Sequence, residues 1–432
     1  NHMKRLEKLA KSAASSLLQC ENVRVISHND ADGITSAGLI CTALRRANIP
    51  FHATLVSRLD SSLVSTLEPP VVFCDMGSGK PDLISDIEGE VFVFDHHTPV
   101  GTPNCVHVNP HLAGVDGAFE LSASGTVYAV VREMGDNVDL AGLALVGALG
   151  DRQMMIGANR TILEEAANFG IVEVRPGLKM DDGPLKTVLA SALDPLLDFS
   201  GDPEKTRAFL EEVGVAGDLP KLGGKELSRL STALVLKVLI QGSFAADSVV
   251  GETIRLKREI VENAFELMWI LNSCGKMEET GLALTLCMRD KTFLSECRKI
   301  DQDYKAKTLS EVHLAQERLQ ETENVRYVLL EDMDAAGVVS GLLVRYLYAD
   351  KPMILMNRSE GIVKVSARGN RLLVFNGLDL SVALREGAEK VGGNGGGHSV
   401  ASGASIPIGT EEEFIKHVDQ VVGSQLSEGH KG

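Results

Sequence analysis

Acidic and imidazole side chains follow three short apolar stretches in the first hundred residues. His28, Asp30 and Asp32 follow the apolar stretch that begins at Val23. Asp75 ends the stretch that begins at Val71, and Asp95, His96 and His97 end the stretch that begins at Val91. Carboxylate oxygens and imidazole nitrogens are common ligands of divalent cations. Carboxylates that share one cleft repel each other strongly unless cations lie between them. These residue types therefore predict a centre for two divalent cations, which is an arrangement that hydrolyses phosphoesters.

A further ligand is expected from Asp151, which follows an apolar run that ends at Gly150. Each group has a simpler interpretation alone, because an Asp-x-Asp after a strand is commonly a helix N-cap and paired histidines are commonly surface residues. All four groups stand at the predicted ends of strands or helices, and this recurrence favours a metal centre. The donor set is oxygen-rich and lacks thiolate, so we expect Mn²⁺, with Mg²⁺ as the alternative.

The elements that must position these side chains are five short strands rich in Val, Ile and Phe. Their predicted ranges are Val23–Ser27, His52–Val56, Val71–Asp75, Val91–Asp95 and Cys105–Asn109. Their apolar residues do not alternate strictly, as expected of strands that are buried on both faces of a parallel sheet. A helix over Ile34–Ala47 separates the first two strands, which predicts a doubly wound α/β domain. Ligands in such folds bind beyond the carboxyl ends of the strands.

The rest of the chain divides into a helical part and a second α/β part. We expect a catalytic domain over residues 1–200, a helical insertion over 201–321 and a smaller α/β domain over 322–432. The periodicity predicts a helix over Glu252–Leu271 and a strand over Leu372–Phe375. A glycine-rich turn is expected near residues 392–398. Acidic residues after the predicted strand Val325–Leu330 are expected to cap the following helix.

Composition narrows the class of protein. The formal net charge of the 432 residues is −16, which argues against a broad basic surface that coats nucleic acid. A nuclease remains compatible with this charge, because bound cations can dominate the field around a phosphate. No run approaches the roughly 20 apolar residues of a membrane span. The seven cysteines include no C-x-x-C pair, which predicts reduced thiols and a cytoplasmic location.

The four groups of ligands resemble the motifs of the DHH phosphoesterases. That family includes RecJ-type exonucleases, oligoribonucleases, cyclic-dinucleotide phosphodiesterases and inorganic pyrophosphatases. The resemblance implies that one ion is held by His28, Asp30 and Asp75. It implies that the other is held by Asp32, Asp75, His96 and Asp151, with Asp75 as the bridging ligand. His97 would face the scissile phosphate, so Asp75, Asp95 and His97 are the expected catalytic residues.

The C-terminal part carries a second resemblance, to the DHH-associated substrate domain. Two segments resemble that domain, Lys364-Val-Ser366-Ala-Arg368 and the glycine-rich run that ends at His398. Glycines let backbone N–H groups approach a phosphate closely, and an arginine offers a bidentate fork. The expected substrate-binding residues are Ser366, Arg368, Asn394, Gly395, Gly396, Gly397 and His398.

The layout is most similar to the compact archaeal RecJ-like proteins. The resemblance implies exonucleolytic hydrolysis of single-stranded DNA or RNA and, for some members, association with the GINS complex or other replication proteins. An oligoribonuclease or a phosphodiesterase of small nucleotides is the nearest alternative, since only 4% of the residues are aromatic and few platforms for stacking long strands are available. A replication scaffold without catalysis is a further alternative, although such a protein should have lost its ligands.

Overall fold

The computed structural model describes residues 2–429 and contains two compact units. The first comprises Asn1–Pro176 and Glu252–Tyr304, and the second comprises Gly177–Gly251 and Lys305–Gly432. Residues 201–321 are therefore shared between both units. No helix in the described range is both long and apolar enough to cross a membrane.

The first unit begins with a three-layer α/β arrangement. Its elements are α1 His2–Leu17, β1 Val23–His28, α2 Ala31–Arg46, β2 Phe51–Val56, α3 Ser61–Val64, β3 Val71–Cys74, α4 Pro81–Ser85, β4 Val91–Phe94, β5 Val106–Val108, α5 Pro110–Ala113, α6 Ala123–Arg132, α7 Ala141–Gly150 and α8 Gly157–Asn168. The five strands form one sheet in the order β2-β1-β3-β4-β5. All neighbouring strands are parallel, so the predicted doubly wound sheet is confirmed.

The register of this sheet places the candidate ligands side by side. Ser27 in β1 pairs with Cys74 in β3, and Cys74 pairs with Phe94 in β4. The next residues along these strands are His28, Asp75 and Asp95. The chain moves from β1 to β2 on one side and to β3 on the other, so the carboxyl ends of β1 and β3 flank the switch point at which such sheets bind ligands.

Burial on both faces explains the composition of the central strands. Every residue of β3 and β4 is buried, and both strands contain only Val, Phe and Cys. Helix α7 is buried over residues 141–148 and is apolar on all sides, as expected of a helix that packs within a core. A helix of this kind can deliver its last residues to the sheet edge without exposing a polar face.

The middle of the chain is mainly helical but contains a short sheet. Its elements are β6 Val172–Leu178, α9 Leu185–Ala190, α10 Pro203–Val213, α11 Gly224–Ile240, β7 Val250–Leu256, α12 Ala264–Lys276, α13 Thr280–Cys287 and α14 Leu294–Glu317. Strands β6 and β7 pair with each other. The predicted helix over Glu252–Leu271 is wrong in its first half, because β7 continues to Leu256 and α12 begins only after Asn263, whose side chain caps it.

The C-terminal part of the second unit is a second, smaller α/β domain. Its elements are β8 Gln320–Glu321, β9 Arg326–Glu331, α15 Ala336–Tyr346, β10 Met353–Ser359, β11 Ile362–Arg368, α16 Arg371–Phe375, α17 Leu380–Lys390, β12 Asn394–Gly397, β13 Ala401–Pro407 and α18 Glu411–Gly429. The strands form a mixed sheet in the order β12-β13-β11-β10-β9-β8. Only the β9–β10 pair is parallel.

Three local predictions for this domain are wrong. Leu372–Phe375 is helical, because the side chain of Asn370 accepts from the backbone N–H of Leu373 and starts α16. The glycine-rich segment is not a turn but the edge strand β12. The acids after β9 do not cap α15. Instead, the carboxylate of Glu311 in α14 accepts the backbone N–H groups of Asp334 and Ala335.

Candidate metal centre

The turn from β1 into α2 supplies the first group of ligands. Asp30 is the N-cap of α2, and its Oδ1 accepts the backbone N–H of Gly33 at 2.8 Å. Its other oxygen, Oδ2, lies 2.9 Å from His28 Nδ1. A Cβ at position 33 would lie 2.2 Å from the carbonyl oxygen of His28, so this turn requires glycine. The N-cap interpretation and the ligand interpretation of Asp30 are thus compatible, because they use different oxygens.

Asp75 lies at the centre of the cluster. Its Oδ2 is 3.4 Å from His28 Nδ1, and its Oδ1 is 3.4 Å from His96 Nε2. Oδ1 is buried and makes no hydrogen bond of acceptable geometry. The backbone of Asp75 has φ +60°, a conformation that non-glycine residues adopt uncommonly and that concentrates at functional sites. An orphaned, buried carboxylate oxygen of this kind fits a cation better than any protein partner.

His96 faces three carboxylates with one nitrogen and a backbone carbonyl with the other. Its Nδ1 lies 2.7 Å from the carbonyl oxygen of Gly117, which fixes Nδ1 as the donor. The other ring nitrogen, Nε2, lies 3.1 Å from Asp151 Oδ2, 3.4 Å from Asp75 Oδ1 and 3.9 Å from Asp32 Oδ2. Histidine ligands of metals are oriented in this way, by a hydrogen bond from the other ring nitrogen.

Asp32 lies in the first turn of α2 and is fully buried against the start of α6. Its Oδ2 accepts the backbone N–H of Ala123 at 2.8 Å, and its Oδ1 accepts that of Ser124 at 2.9 Å. These N–H groups have no partner within their own helix, so the carboxylate stabilises α6 while α6 fixes the carboxylate. A Cβ at Gly147 would lie 2.4 Å from Asp32 Oδ1. Only glycine therefore lets α7 pack this closely against Asp32, and this packing places Asp151, the residue after α7, near Asp32.

Asp95 and His97 form a separate pair at the end of β4. Asp95 Oδ1 lies 2.7 Å from His97 Nδ1 and also accepts the backbone N–H of His96, while Oδ2 accepts the backbone N–H of Ser78. Both oxygens of Asp95 are therefore engaged by protein donors, and this residue orients His97. The hydrogen bond to Asp95 raises the pKa of His97, and the side chain of His97 is 57% exposed.

Three overlapping groups of potential ligands lie in this cluster. Their members are Asp75, Asp95, His96 and His97 in one, His28, Asp30 and Asp75 in the second, and Asp32, His96 and Asp151 in the third. The ligand atoms of each group lie within 4.8 Å of one another, and Asp75 belongs to two of the groups. The structure therefore brings together all six predicted metal ligands, and Asp75 links the groups, because it belongs to the group with His28 and Asp30 and its Oδ1 lies 3.4 Å from Nε2 of His96.

The pKa values in the cluster reflect several carboxylates that are buried close to one another. Burial, together with the charge of Asp30, raises the pKa of Asp75 to about 6. Burial and the charge of Asp32 also raise the pKa of Asp151. Burial lowers the pKa of His96, but Asp75, Asp32 and Asp151 outweigh it and raise that pKa to about 11. Positive charge is thus strongly favoured here, and divalent cations would supply it.

Several residues that hold the ligands were not predicted from the sequence. The carbonyl oxygen of Gly117 accepts from both His96 Nδ1 and Gln153 Nε2, the latter at 2.8 Å. The Oε1 atom of Gln153 in turn accepts from Asn159 Nδ2 at 2.8 Å. Gln153 stands two residues after Asp151 and is buried. The only feature of the sequence that could have indicated Gln153 is its position two residues after a predicted ligand. Nothing could have indicated Gly117, because every residue type has a backbone carbonyl.

The predicted substrate-binding residues lie in the second unit. Ser366 and Arg368 belong to β11, on the face over which α15 packs, and a Cβ at Gly337 would lie 2.9 Å from Arg368 Nη2 and 3.8 Å from Ser366 Oγ. Arg368 is half-buried, and burial lowers its pKa. Its guanidinium forms no ion pair within residues 2–429, and it donates only to the neighbouring carbonyl of Ala367. The guanidinium of Arg368 is therefore available to bind an anion.

The glycine-rich residues form a hairpin with β13. Gly396 pairs with Gly403, which in turn pairs with Ser366, so Gly396 and Ser366 share one row of the sheet. His398 begins the turn that joins the two strands, and its backbone N–H donates to the carbonyl of Ala401 at 2.9 Å. Its side chain is exposed. The structure thus places Asn394, Gly395, Gly396, Gly397 and His398 at one edge of the sheet that also carries Ser366 and Arg368.

The parallel sheet with its acid and imidazole cluster, followed by a smaller sheet domain, defines a phosphoesterase fold of the α/β class. Residues 22–148 match the DHH family N-terminal domain, and residues 325–424 match the DHHA1 domain. An uncharacterized protein of Methanocaldococcus jannaschii is 32% identical, over 98% of this chain and 99% of that protein. The chain belongs to the DHH family.

RecJ exonucleases and a CDC45 protein share this fold. The single-stranded-DNA-specific exonuclease RecJ of Bacillus subtilis is 22% identical, over 99% of this chain but 49% of its own length. A crystal structure of RecJ from Thermus thermophilus in complex with Mn²⁺ superposes with a TM-score of 0.62 at 18% identity, over 97% of this chain and 55% of that chain. CDC45 from Entamoeba histolytica gives a TM-score of 0.61 at 12% identity, over 98% of each chain. The chain thus spans about half the length of these two RecJ proteins.

Proposed function

We propose that this protein is a two-metal phosphodiesterase that hydrolyses single-stranded DNA or RNA as a RecJ-like exonuclease. The observation that carries the proposal is the position of Asp75, whose two oxygens face different imidazoles and whose Oδ1 is buried without a proper hydrogen bond. A nucleic-acid substrate agrees with the likeness to RecJ in both sequence and fold.

In this proposal His28, Asp30 and Asp75 hold one ion, and Asp32, Asp75, His96 and Asp151 hold the other. Mn²⁺ is the expected ion, with Mg²⁺ as the alternative, because the donor set is rich in oxygen and lacks thiolate. When bound, the ions would neutralise phosphate charge and lower the pKa of the attacking water. The residues around them supply orientation and proton transfer.

His97 is the expected general acid. Asp95 accepts a hydrogen bond from Nδ1 of His97 and raises the pKa of the ring, which favours a protonated Nε2 that could donate to the leaving oxygen. Arg368 would hold a phosphate of the substrate with its fork of N–H groups. His398 and the backbone of Asn394, Gly395, Gly396 and Gly397 would add donors, and the hydroxyl of Ser366 would bind a phosphate or sugar oxygen.

A second candidate is hydrolysis of very short oligonucleotides or of small nucleotides. The net charge of −16 and the low aromatic content favour this candidate, because both disfavour binding of long strands. A role as a replication scaffold that binds the GINS complex is a lesser candidate. The likeness to CDC45 concerns the fold alone, and the full set of ligands argues for catalysis.

Digestion of end-labelled single strands from 2 to about 20 nucleotides in Mn²⁺ tests these candidates, with DNA and RNA run in parallel. Stepwise shortening of the longer strands supports the exonuclease. Cleavage limited to the shortest substrates supports the second candidate. Absence of hydrolysis at every length, together with co-purification of GINS, would leave only the scaffold.

A further inference from the structure

Three exposed apolar side chains lie on two loops next to candidate ligands. One loop contains Gly117, whose carbonyl contacts His96, and the other follows Asp151. We call Phe119, Met154 and Ile156 the apolar rim. Their exposed fractions are 56%, 54% and 41%. Isolated exposed apolar residues are ordinary on protein surfaces, but clusters of them commonly mark binding sites. The position of the apolar rim beside the ligand cluster therefore calls for a functional explanation.

The two loops are joined to each other and to the cluster. Gln153 donates to the carbonyl of Gly117, the same oxygen that accepts from His96. The backbone N–H of Asn159 donates to the carbonyl of Glu120 at 2.8 Å, and a Cβ at Gly157 would lie 2.8 Å from Glu120 Cδ. The apolar rim thus belongs to one connected structure rather than to two independent loops.

The loop that carries Phe119 is held rigidly. Asp116 Oδ1 accepts the backbone N–H of Ala118 at 2.8 Å, and the carbonyl of Asp116 accepts the backbone N–H of Glu120 at 2.9 Å. Phe119 follows Gly117 by two residues, so their Cα atoms are at most about 7 Å apart. The loop therefore holds an exposed aromatic residue two positions from Gly117, whose carbonyl oxygen contacts His96 Nδ1.

We propose that the apolar rim, with Phe119 as its aromatic platform, binds a nucleobase of the substrate next to the scissile phosphate. Every nucleobase has a face that stacks on an aromatic ring, so this contact requires no particular sequence. It would distinguish nucleic acid from phosphoesters without a base, such as pyrophosphate. The inference rests on the proposed function and specifies the substrate class of the same site.

Phe169 provides a matched control. It is 61% exposed and lies in the same unit. It follows the C-terminal end of α8, whereas the apolar rim adjoins the N-terminal end of that 12-residue helix, so the two ends are about 18 Å apart. Phe169→Ala therefore removes an equally exposed ring at a distance from the rim.

The experiment compares wild type, Phe119→Ala, Phe119→Trp and Phe169→Ala. Steady-state hydrolysis in Mn²⁺ is measured on a deoxydinucleotide and on two analogues with a base-free sugar on one side of the phosphate or the other. Quenching of 2-aminopurine fluorescence in a labelled dinucleotide, in Ca²⁺, measures binding without reliance on turnover. Circular dichroism and thermal unfolding check that each variant is folded.

We expect Phe119→Ala to raise both KM and the Kd from fluorescence about tenfold, with a smaller change in kcat. Phe119→Trp should restore binding, and Phe169→Ala should match wild type. One of the two base-free analogues should bind wild type and Phe119→Ala equally. The inference is overturned if Phe119→Ala behaves as Phe169→Ala does, or if it weakens binding of every analogue equally. Absence of wild-type hydrolysis would instead contradict the proposed function, and the fluorescence titration would still test the rim.

Discussion

Gln153 Nε2 donates a 2.8 Å hydrogen bond to the carbonyl oxygen of Gly117, which also accepts from His96 Nδ1. The loop that follows the candidate ligand Asp151 is thereby bonded to Gly117, the residue whose carbonyl orients the candidate ligand His96. Metal sites depend on such outer hydrogen bonds, because these bonds fix the orientation of the ligands before an ion binds.

Replacement of Gln153 by methionine should weaken Mn²⁺ binding by about 10- to 100-fold. Methionine has a similar volume but cannot donate to Gly117 or accept from Asn159. Isothermal titration calorimetry measures the affinity. Gln19→Met, on the exposed loop after α1, is the matched control and should leave the affinity unchanged. Equal Mn²⁺ affinities for the two variants would show that Gln153 has no positioning role.

The metal-free protein should lose stability as pH rises. The pKa of folded Asp75 is raised from 3.8 to about 6, so its carboxyl destabilises the fold progressively as pH rises through that window. His28 and His96 have pKa values raised from 6.5 to about 10 and 11, so the stability they contribute is fully present below pH 6.5 and is lost progressively as pH rises from 6.5 through those folded-state values.

Thermal unfolding in a chelator should therefore show Tm falling from pH 5 to pH 9, and Mn²⁺ should raise Tm most at the alkaline end. Asp75→Asn should reduce the change of Tm with pH between pH 4 and 6. Asparagine is the suitable replacement, because it tolerates the positive φ of position 75. A Tm in chelator that rises over the same pH range would contradict the electrostatic description of the cluster.

Loss of the Arg368 guanidinium should weaken substrate binding rather than the chemical step. Arg368→Ala is expected to raise KM about 10- to 100-fold with little change in kcat, since the lost contact is a charge-assisted hydrogen bond. Arg368→Lys should recover only part of the affinity, because lysine lacks the planar fork. Steady-state kinetics on a dinucleotide measure both constants. Arg371→Ala, an exposed arginine three residues away, is the control, and an equal effect there would indicate a general change of surface charge.

Gly395 and Gly396 should respond differently to alanine. A Cβ at Gly396 meets no atom within 4 Å, whereas one at Gly395 would lie 2.8 Å from the carbonyl oxygen of Leu384. Gly395→Ala should therefore lower Tm. Gly396→Ala should keep the wild-type Tm and raise KM, because the added methyl group blocks the approach of a phosphate to the backbone. An unchanged KM for Gly396→Ala would remove this residue from the proposed substrate site.

The sequence predicted the sheet and the convergence of the ligands well, for a physical reason. Strands buried on both faces are nearly pure Val, Ile and Phe, so the polar residues that follow them mark the strand ends clearly. In a parallel sheet those ends share one edge, which is why the sequence alone could place His28, Asp75 and Asp95 together.

Elements that depend on tertiary contacts were predicted less well. Residues 252–271 have helical periodicity throughout, yet β7 pairs with β6 and the helix starts only at the cap of Asn263. The glycines of β12 have weak strand propensity, and the strand exists because β13 pairs with it. The roles of Gly117 and Gln153 depend on hydrogen bonds between distant loops, which residue types do not encode.

The stoichiometry of Mn²⁺ binding tests the central claim most directly. Calorimetric titration of the metal-free chain should give two ions per wild-type molecule. Asp75→Asn should bind at most one ion, and more weakly than wild type, because both proposed sites share that carboxylate. A single ion bound by the wild type, or two ions bound by Asp75→Asn with wild-type affinity, would contradict a centre bridged by Asp75.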